Sequence, residues 1–233
     1  VSSTLDDLVV QNSASISNLG SGSTMITVGA VATLLAGQGN AMITSGTGSL
    51  TLNVTDNLNL STNGGGSSLI TSNGPMTITA ENVSLFGLGT GQQSLIRETA
   101  GNMLIIAMNN IVLDDNALIA NTGAGTLTLV VDNQAPASIG TGRFILAPDA
   151  MVAGSGLTRI FTAQPDGIAA GNLAFGQVNG SYVTAGLACS FDAPPPSPTA
   201  QYSTYYPSTF GGTPYTIFFK SPLTPAAFKM RSR

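Results

Sequence analysis

Residues 49–74 read SLTLNVTDNLNLSTNGGGSSLITSNG: three short runs in which Leu, Ile or Val recurs at every second place, broken by Asp-Asn and by Asn-Gly-Gly-Gly. Alternation with a period of two marks a strand with one face buried. Asn, Asp and Gly are the residues that turn a chain sharply. The phrase returns in lines beginning at Ser23 (STMITVGAVATLLAGQGNAMITSGTG), Pro75 (PMTITAENVSLFGLGTGQQSLIRETAG), Asn102 (NMLIIAMNNIVLDDNALIANTGAG) and Thr126 (TLTLVVDNQAPASIG and onward).

One such line cannot bury its apolar face alone. Neighbours stacked about 4.8 Å apart pair their backbones and enclose a continuous interior. The expected fold is therefore all-β, a parallel β-helix: a three-sided β-solenoid with coils of about 24–27 residues, five of them standing about 24 Å tall. The inward residues of the first strand read Thr24 and Ile26, Leu50 and Leu52, Met76 and Ile78, Met103 and Ile105, Leu127 and Leu129. Those of the second read Ala32 and Leu34, Leu58 and Leu60, Val83 and Leu85, Ile111 and Leu113, and the third strand contributes Ile43, Leu69, Leu95 and Leu118.

Asn57, Asn82, Asn110 and Asn133 follow the first strand of successive lines at the corner before the second. Asn tolerates left-handed backbone there, and stacked amides donate to one neighbour and accept from the other, so these four are expected to form an Asn ladder. Asn53 and Asn82 also open NVT and NVS sequons, a pattern that recurs by chance in sequence this rich in Asn, Ser and Thr.

The period fades in the last third. The solenoid is read as 1–153, a β-rich cap or continuation as 154–191, a Pro/Tyr-rich linker around DAPPPSP as 192–214, and a tail strand with a basic end as 215–233. Phe86 is the only aromatic residue before Phe144, and the other Phe and Tyr from Phe144 onward suggest a change of architecture. Tyr202, Tyr205, Tyr206, Tyr215, Ile217, Phe218 and Phe219 are candidate subunit contacts, because YTIFFK pairs either with the chain's own sheet or with a neighbour's edge. Charge tilts that choice towards the neighbour. No Lys or Arg precedes Arg97, and no acid follows Asp192, whereas Lys220, Lys229, Arg231 and Arg233 crowd the end.

Composition narrows the function. Only 8% of the 233 residues are charged and the net charge is −4, without the basic, aromatic-laced stripe of a nucleic-acid binder. No apolar run is long enough to span a membrane. The chain opens VSSTLDD, which reads as a processed form or fragment compatible with secretion. Cys189 is the sole cysteine and His is absent, so cysteine-built and His-ligated metal sites and Ser-His-Asp catalysis are excluded. Asp56, Glu81 and Asp132 align one per coil, with Asn109 between, and read as corner caps; calcium binding and paired catalytic carboxylates are the alternatives. Outward first-strand positions (Thr51 and Asn53, Thr77 and Thr79, Leu104 and Ile106, Thr128 and Val130) break the regular Thr array that ice binding requires. The apolar ones suggest a face covered by the tail or by another subunit.

The phrases LTLNVTDNLNL and MTITAENVSLF resemble the haemagglutinin-type repeats of filamentous bacterial adhesins and other secreted β-helix passengers, over residues 23 to about 135. That resemblance implies a right-handed parallel β-helix exported to a bacterial surface for adhesion or assembly. The NPNG element of that family's secretion domain does not occur in the chain. The function expected is a non-enzymatic extracellular structural protein, without cofactor or metal, that assembles head to tail with itself into a fibre. The alternatives are a monomeric adhesin for host or glycan surfaces and, further off, a polysaccharide-active enzyme.

Overall fold

The computed structural model describes residues 2–88, 91–133, 142–147, 149–162, 204–210 and 213–219. The chain winds in rungs of three strands. Rung one holds β1 (Ser2–Leu5), β2 (Leu8–Gln11) and β3 (Ser15–Asn18). Rung two holds β4 (Thr24–Val28), β5 (Ala32–Ala36) and β6 (Ala41–Ser45). Rung three, the stretch quoted first, holds β7 (Leu50–Val54), β8 (Asn57–Thr62) and β9 (Ser68–Ser72). Rung four holds β10 (Met76–Ala80), β11 (Asn82–Phe86) and β12 (Ser94–Glu98), and rung five β13 (Met103–Ala107), β14 (Ile111–Asp114) and β15 (Ala117–Asn121). Rung six holds β16 (Leu127–Val130), β17 (Phe144–Leu146) and β18 (Met151–Gly154). β19 (Thr158–Thr162) opens the next turn, followed by β20 (Thr204–Phe210) and β21 (Thr213–Phe219).

Like strands of successive rungs pair in parallel and make three sheets. Sheet A runs β1-β4-β7-β10-β13-β16-β19-β21-β20, sheet B β2-β5-β8-β11-β14-β17, and sheet C β3-β6-β9-β12-β15-β18. The fold is the expected β-solenoid. The solenoid includes a rung ahead of the first repeat line, inside the 1–153 read for it: rung one holds the short strands LVVQ and SISN, too brief to show a period. It also runs on past residue 153: β19 continues the parallel register of β16, with Leu129 opposite Ile160. Phe144, where a new architecture was expected, fills the interior of rung six opposite Ile111.

One apolar core fills the bore from Leu8 to Ile160. Every inward residue expected of the first two strands is buried. In the third strand Ile43 faces inward as expected, and the next three rungs are shifted by one place. Ile43, Ile70, Ile96, Ile119 and Val152 point inward, while Leu69, Leu95 and Leu118 lie on the outer face. Each of these strands carries two adjacent large apolar residues, so alternation alone left the register open, and a slip of one place reverses both faces.

The corners explain the spacing of small residues. A Cβ on Gly48 would overlap the Gly22 carbonyl oxygen, and one on Gly125 the Gly101 carbonyl oxygen, so only Gly lets the corners of successive rungs close to strand spacing. At the two-residue corner between β14 and β15, Asp115 and Asn116 turn with φ of +28° and +52°, which Asp and Asn tolerate best among residues with a Cβ.

The C-terminal strands close sheet A. β21 pairs in parallel with β19, Ile160 opposite Ile217, and β20 returns antiparallel along β21, Tyr206 opposite Ile217. Residues 215–219 therefore pair in cis, against the tilt towards a neighbour. β20 also falls inside the 192–214 stretch read as linker. Its Pro207 occupies the outermost strand, where a residue without an N–H is tolerated. Among the described residues no helix is long and apolar enough to cross a membrane.

Candidate functional site: corners and outer faces

Two polar ladders line the corner between sheets A and B. Asn82 donates through Nδ2 to Asn57 Oδ1 at 2.8 Å, and Asn110 Nδ2 donates to Asn82 Oδ1 at 3.0 Å. Asn110 Oδ1 then accepts from the backbone N–H of Arg143 at 2.9 Å, so Arg143 holds the next place and Asn133 does not. The chain leaves the stack at Asp132, whose φ is +60°, and Asn133 lies one residue beyond, its Oδ1 buried without a hydrogen bond. The adjoining ladder joins Asp56, Glu81, Asn109 and Asp132 through backbone bonds, each N–H donating to the preceding carbonyl. Asn109 Nδ2 also donates to Glu81 Oε1 at 2.9 Å. An amide thus satisfies the one carboxylate flanked on both sides by stacked neighbours, as a corner cap requires.

A third ladder was not read from the sequence. Where sheet C turns back to sheet A, the last inward residues are Asn18, Ser45, Ser72, Glu98 and Asn121, in register from rung to rung. Asn18, Ser72, Glu98 and Asn121 each accept the backbone N–H two residues on, at Gly20, Gly74, Ala100 and Gly123. Their side chains take the place of a strand partner where the backbone leaves the sheet. Glu98 is 0% exposed, and its Oε1 also accepts from Gly101, while Oε2 has no hydrogen-bond partner. The sequence signal was available: a polar residue ends the third strand just before a Gly-containing turn in every one of these lines.

Outside, Asp114, Asp115 and Asp149 meet at an exposed corner. The Asp114 carboxylate, and after it that of Asp149, raise the Asp115 carboxyl above its ordinary range. Among the described residues no three His, Cys, Asp or Glu side chains are placed to hold a metal ion.

The outer face of sheet A changes character along its length. Ile106, Val130 and Phe161 occupy one outward column. They form a second apolar cluster, 0–2% exposed, with Leu104 and Met108 against it. These residues are buried within a single chain, so no second subunit is needed to cover them. Of the candidate subunit contacts, Tyr202 lies outside the described residues. The backbones of Tyr205, Tyr206, Tyr215, Ile217 and Phe218 are paired within β20 and β21, and Phe219 lies opposite Thr204. Comparison with protein-family profiles, with curated proteins and with solved structures gives no match.

Proposed function

We propose that this chain is a non-enzymatic extracellular structural protein, a rigid rod that stacks head to tail with further copies into a fibre or surface appendage. The observation that carries this reading is the unbroken parallel stacking of like strands from rung to rung. Among the described residues sheet A pairs in parallel from β1 to β19, sheet B from β2 to β17 and sheet C from β3 to β18. A rung of the same three-strand geometry can add to the end of such a stack, and a heterologous contact of this kind repeats without closing. Charge supports the polarity, since Asp6 and Asp7 mark the first rung and Lys220, Lys229, Arg231 and Arg233 the other end of the chain. With β21 paired in cis, the junction relies on stacked rungs and not on an exchanged tail strand. The resemblance of residues 23–135 to haemagglutinin-type repeats points to a bacterial surface as the place of work.

Negative-stain electron microscopy of the purified chain over a concentration series tests this. Filaments one rod wide are expected, and dispersed single rods at the highest concentration overturn the reading. Pro207 favours a second one, a monomeric adhesin for host or glycan surfaces, because Pro on an edge strand discourages strand addition. A glycan screen on dispersed rods addresses it.

A further inference from the structure

The outer face of sheet C carries a feature that stacking end to end does not use. Met42, Leu69, Leu95, Leu118 and Met151 stand opposite one another in five consecutive rungs. The equivalent outward columns of the other sheets are interrupted. In sheet A that column reads Met25, Thr51, Thr77, Leu104, Thr128 and Arg159. In sheet B it reads Val9, Thr33, Asn59, Ser84, Val112 and Ile145. Leu95 is 7% exposed between its neighbours and Met151 is 46% exposed, with Met42, Leu69 and Leu118 half-buried between these extremes. Two residues along each strand runs a column of Thr44, Thr71, Arg97, Ala120 and Ala153, where Thr71 donates to Thr44 at 3.3 Å. Arg97 is the one charged side chain among the outward positions of this sheet.

We propose that this face is the contact surface for a second copy of the same chain, packed face to face about a two-fold axis that runs along the solenoid. Three features select this partner. The stripe repeats at strand spacing, about 4.8 Å, and only another stack with the same repeat stays in step with it along its whole length. The face lacks acids and holds one cation, so a charged partner finds nothing to pair with, whereas an equally uncharged face does. Arg97 then chooses the axis. A two-fold axis along the strands through the central rung would set Arg97 against its own copy. An axis along the solenoid places the two guanidinium groups on opposite sides of the Met/Leu stripe, each displaced by about 7 Å, and matches every rung with itself. The face measures about 24 by 16 Å from strand spacing and rise, smaller than the ~800 Å² per partner of a standard interface. The pair is therefore a reversible one, dissociating in the micromolar range or above.

Sedimentation velocity of the full chain across a concentration series tests the surface. A monomer–dimer equilibrium is expected, and the double variant Leu69→Thr, Leu118→Thr, which keeps strand-forming residues on the surface, weakens it about 100-fold or more. Unchanged circular dichroism and melting show that the variant is folded; if it is not, Leu69→Thr alone serves. In a Cys189→Ala background, Leu69→Cys links to its own copy on oxidation. A wild-type chain that stays monomeric, or a folded variant that associates as well as wild type, overturns the proposal. Leu69→Cys that links only when mixed with Leu118→Cys overturns the axis. Wild-type filaments without lateral pairs leave end-to-end stacking standing and overturn this inference alone, whereas lateral pairs without filaments overturn the stacking alone.

Discussion

Two columns of apolar side chains run through sheet C one residue apart, on opposite sides of the same backbone. Ile43, Ile70, Ile96 and Ile119 face the bore and are 0% exposed, while Met42, Leu69, Leu95 and Leu118 face outward in the same strands. Hydropathy does not separate them; side-chain shape does. The inner column is β-branched in every rung from Ile16 to Val152, and the outer one is unbranched at Cβ wherever it is apolar. A β-branched side chain is stiff at χ1 and stacks on its copy above and below with little entropy left to lose. Met and Leu keep more freedom and suit a surface that repacks when covered.

The sharpest way to break this comparison is to truncate adjacent residues. Ile70→Ala leaves a cavity in the bore and should cost about 3–4 kcal/mol, whereas Leu69→Ala on the outer face should cost less than about 1 kcal/mol. Urea unfolding followed by circular dichroism measures both, and equal losses would place both columns in one environment. The next effect belongs to the polar end of the inner face. Glu98→Ala removes the charged partner of the Ala100 and Gly101 N–H groups and should cost about 2 kcal/mol. Glu98→Ser restores what Ser72 does one rung below and should recover most of that loss. Smaller again is the exposed-corner ladder. Asn82→Ala breaks the links to Asn57 and Asn110 and should cost about 1 kcal/mol, while Asn133→Ala, outside the ladder, should be nearly neutral by the same measurement.

The solenoid, its three sheets and two of its three inward registers were legible because Thr24–Val28, Leu50–Val54 and their equivalents alternate strictly. Where strands carry adjacent apolar residues, as Leu69-Ile70 does, alternation fell silent, and β-branching would have been the better guide. The Asn57–Asn82–Asn110 ladder was readable from spacing. Asn133 was misplaced because the chain leaves the stack at Asp132, an event set by backbone geometry that no residue count records. Glu98 escaped notice for a different reason: a lone carboxylate resembles a surface group until its rung partners Ser72 and Asn121 show that the position faces inward. The cis pairing of β21 was open from sequence, since an apolar strand fits its own sheet or a neighbour's equally well.

The smallest expected effect compares two corners of sheet B with the same backbone. Asn12 and Ser13 in rung one turn with φ of +47° and +69°, much as Asp115 and Asn116 do in rung five. The first pair is uncharged. At the second, Asp114 and then Asp149 raise the Asp115 carboxyl above its ordinary range. A carboxyl raised in the folded state gives up its proton more readily in the unfolded chain, so ionisation costs stability above the carboxylate range. That cost is relieved as pH falls through it. Asp115→Asn keeps the left-handed turn and removes the charge. Its thermal midpoint should lie slightly above wild type at neutral pH and low salt, the gap closing in acid and shrinking with added salt. A gap that persists in acid would instead trace the gain to the Asn side chain's fit at that corner.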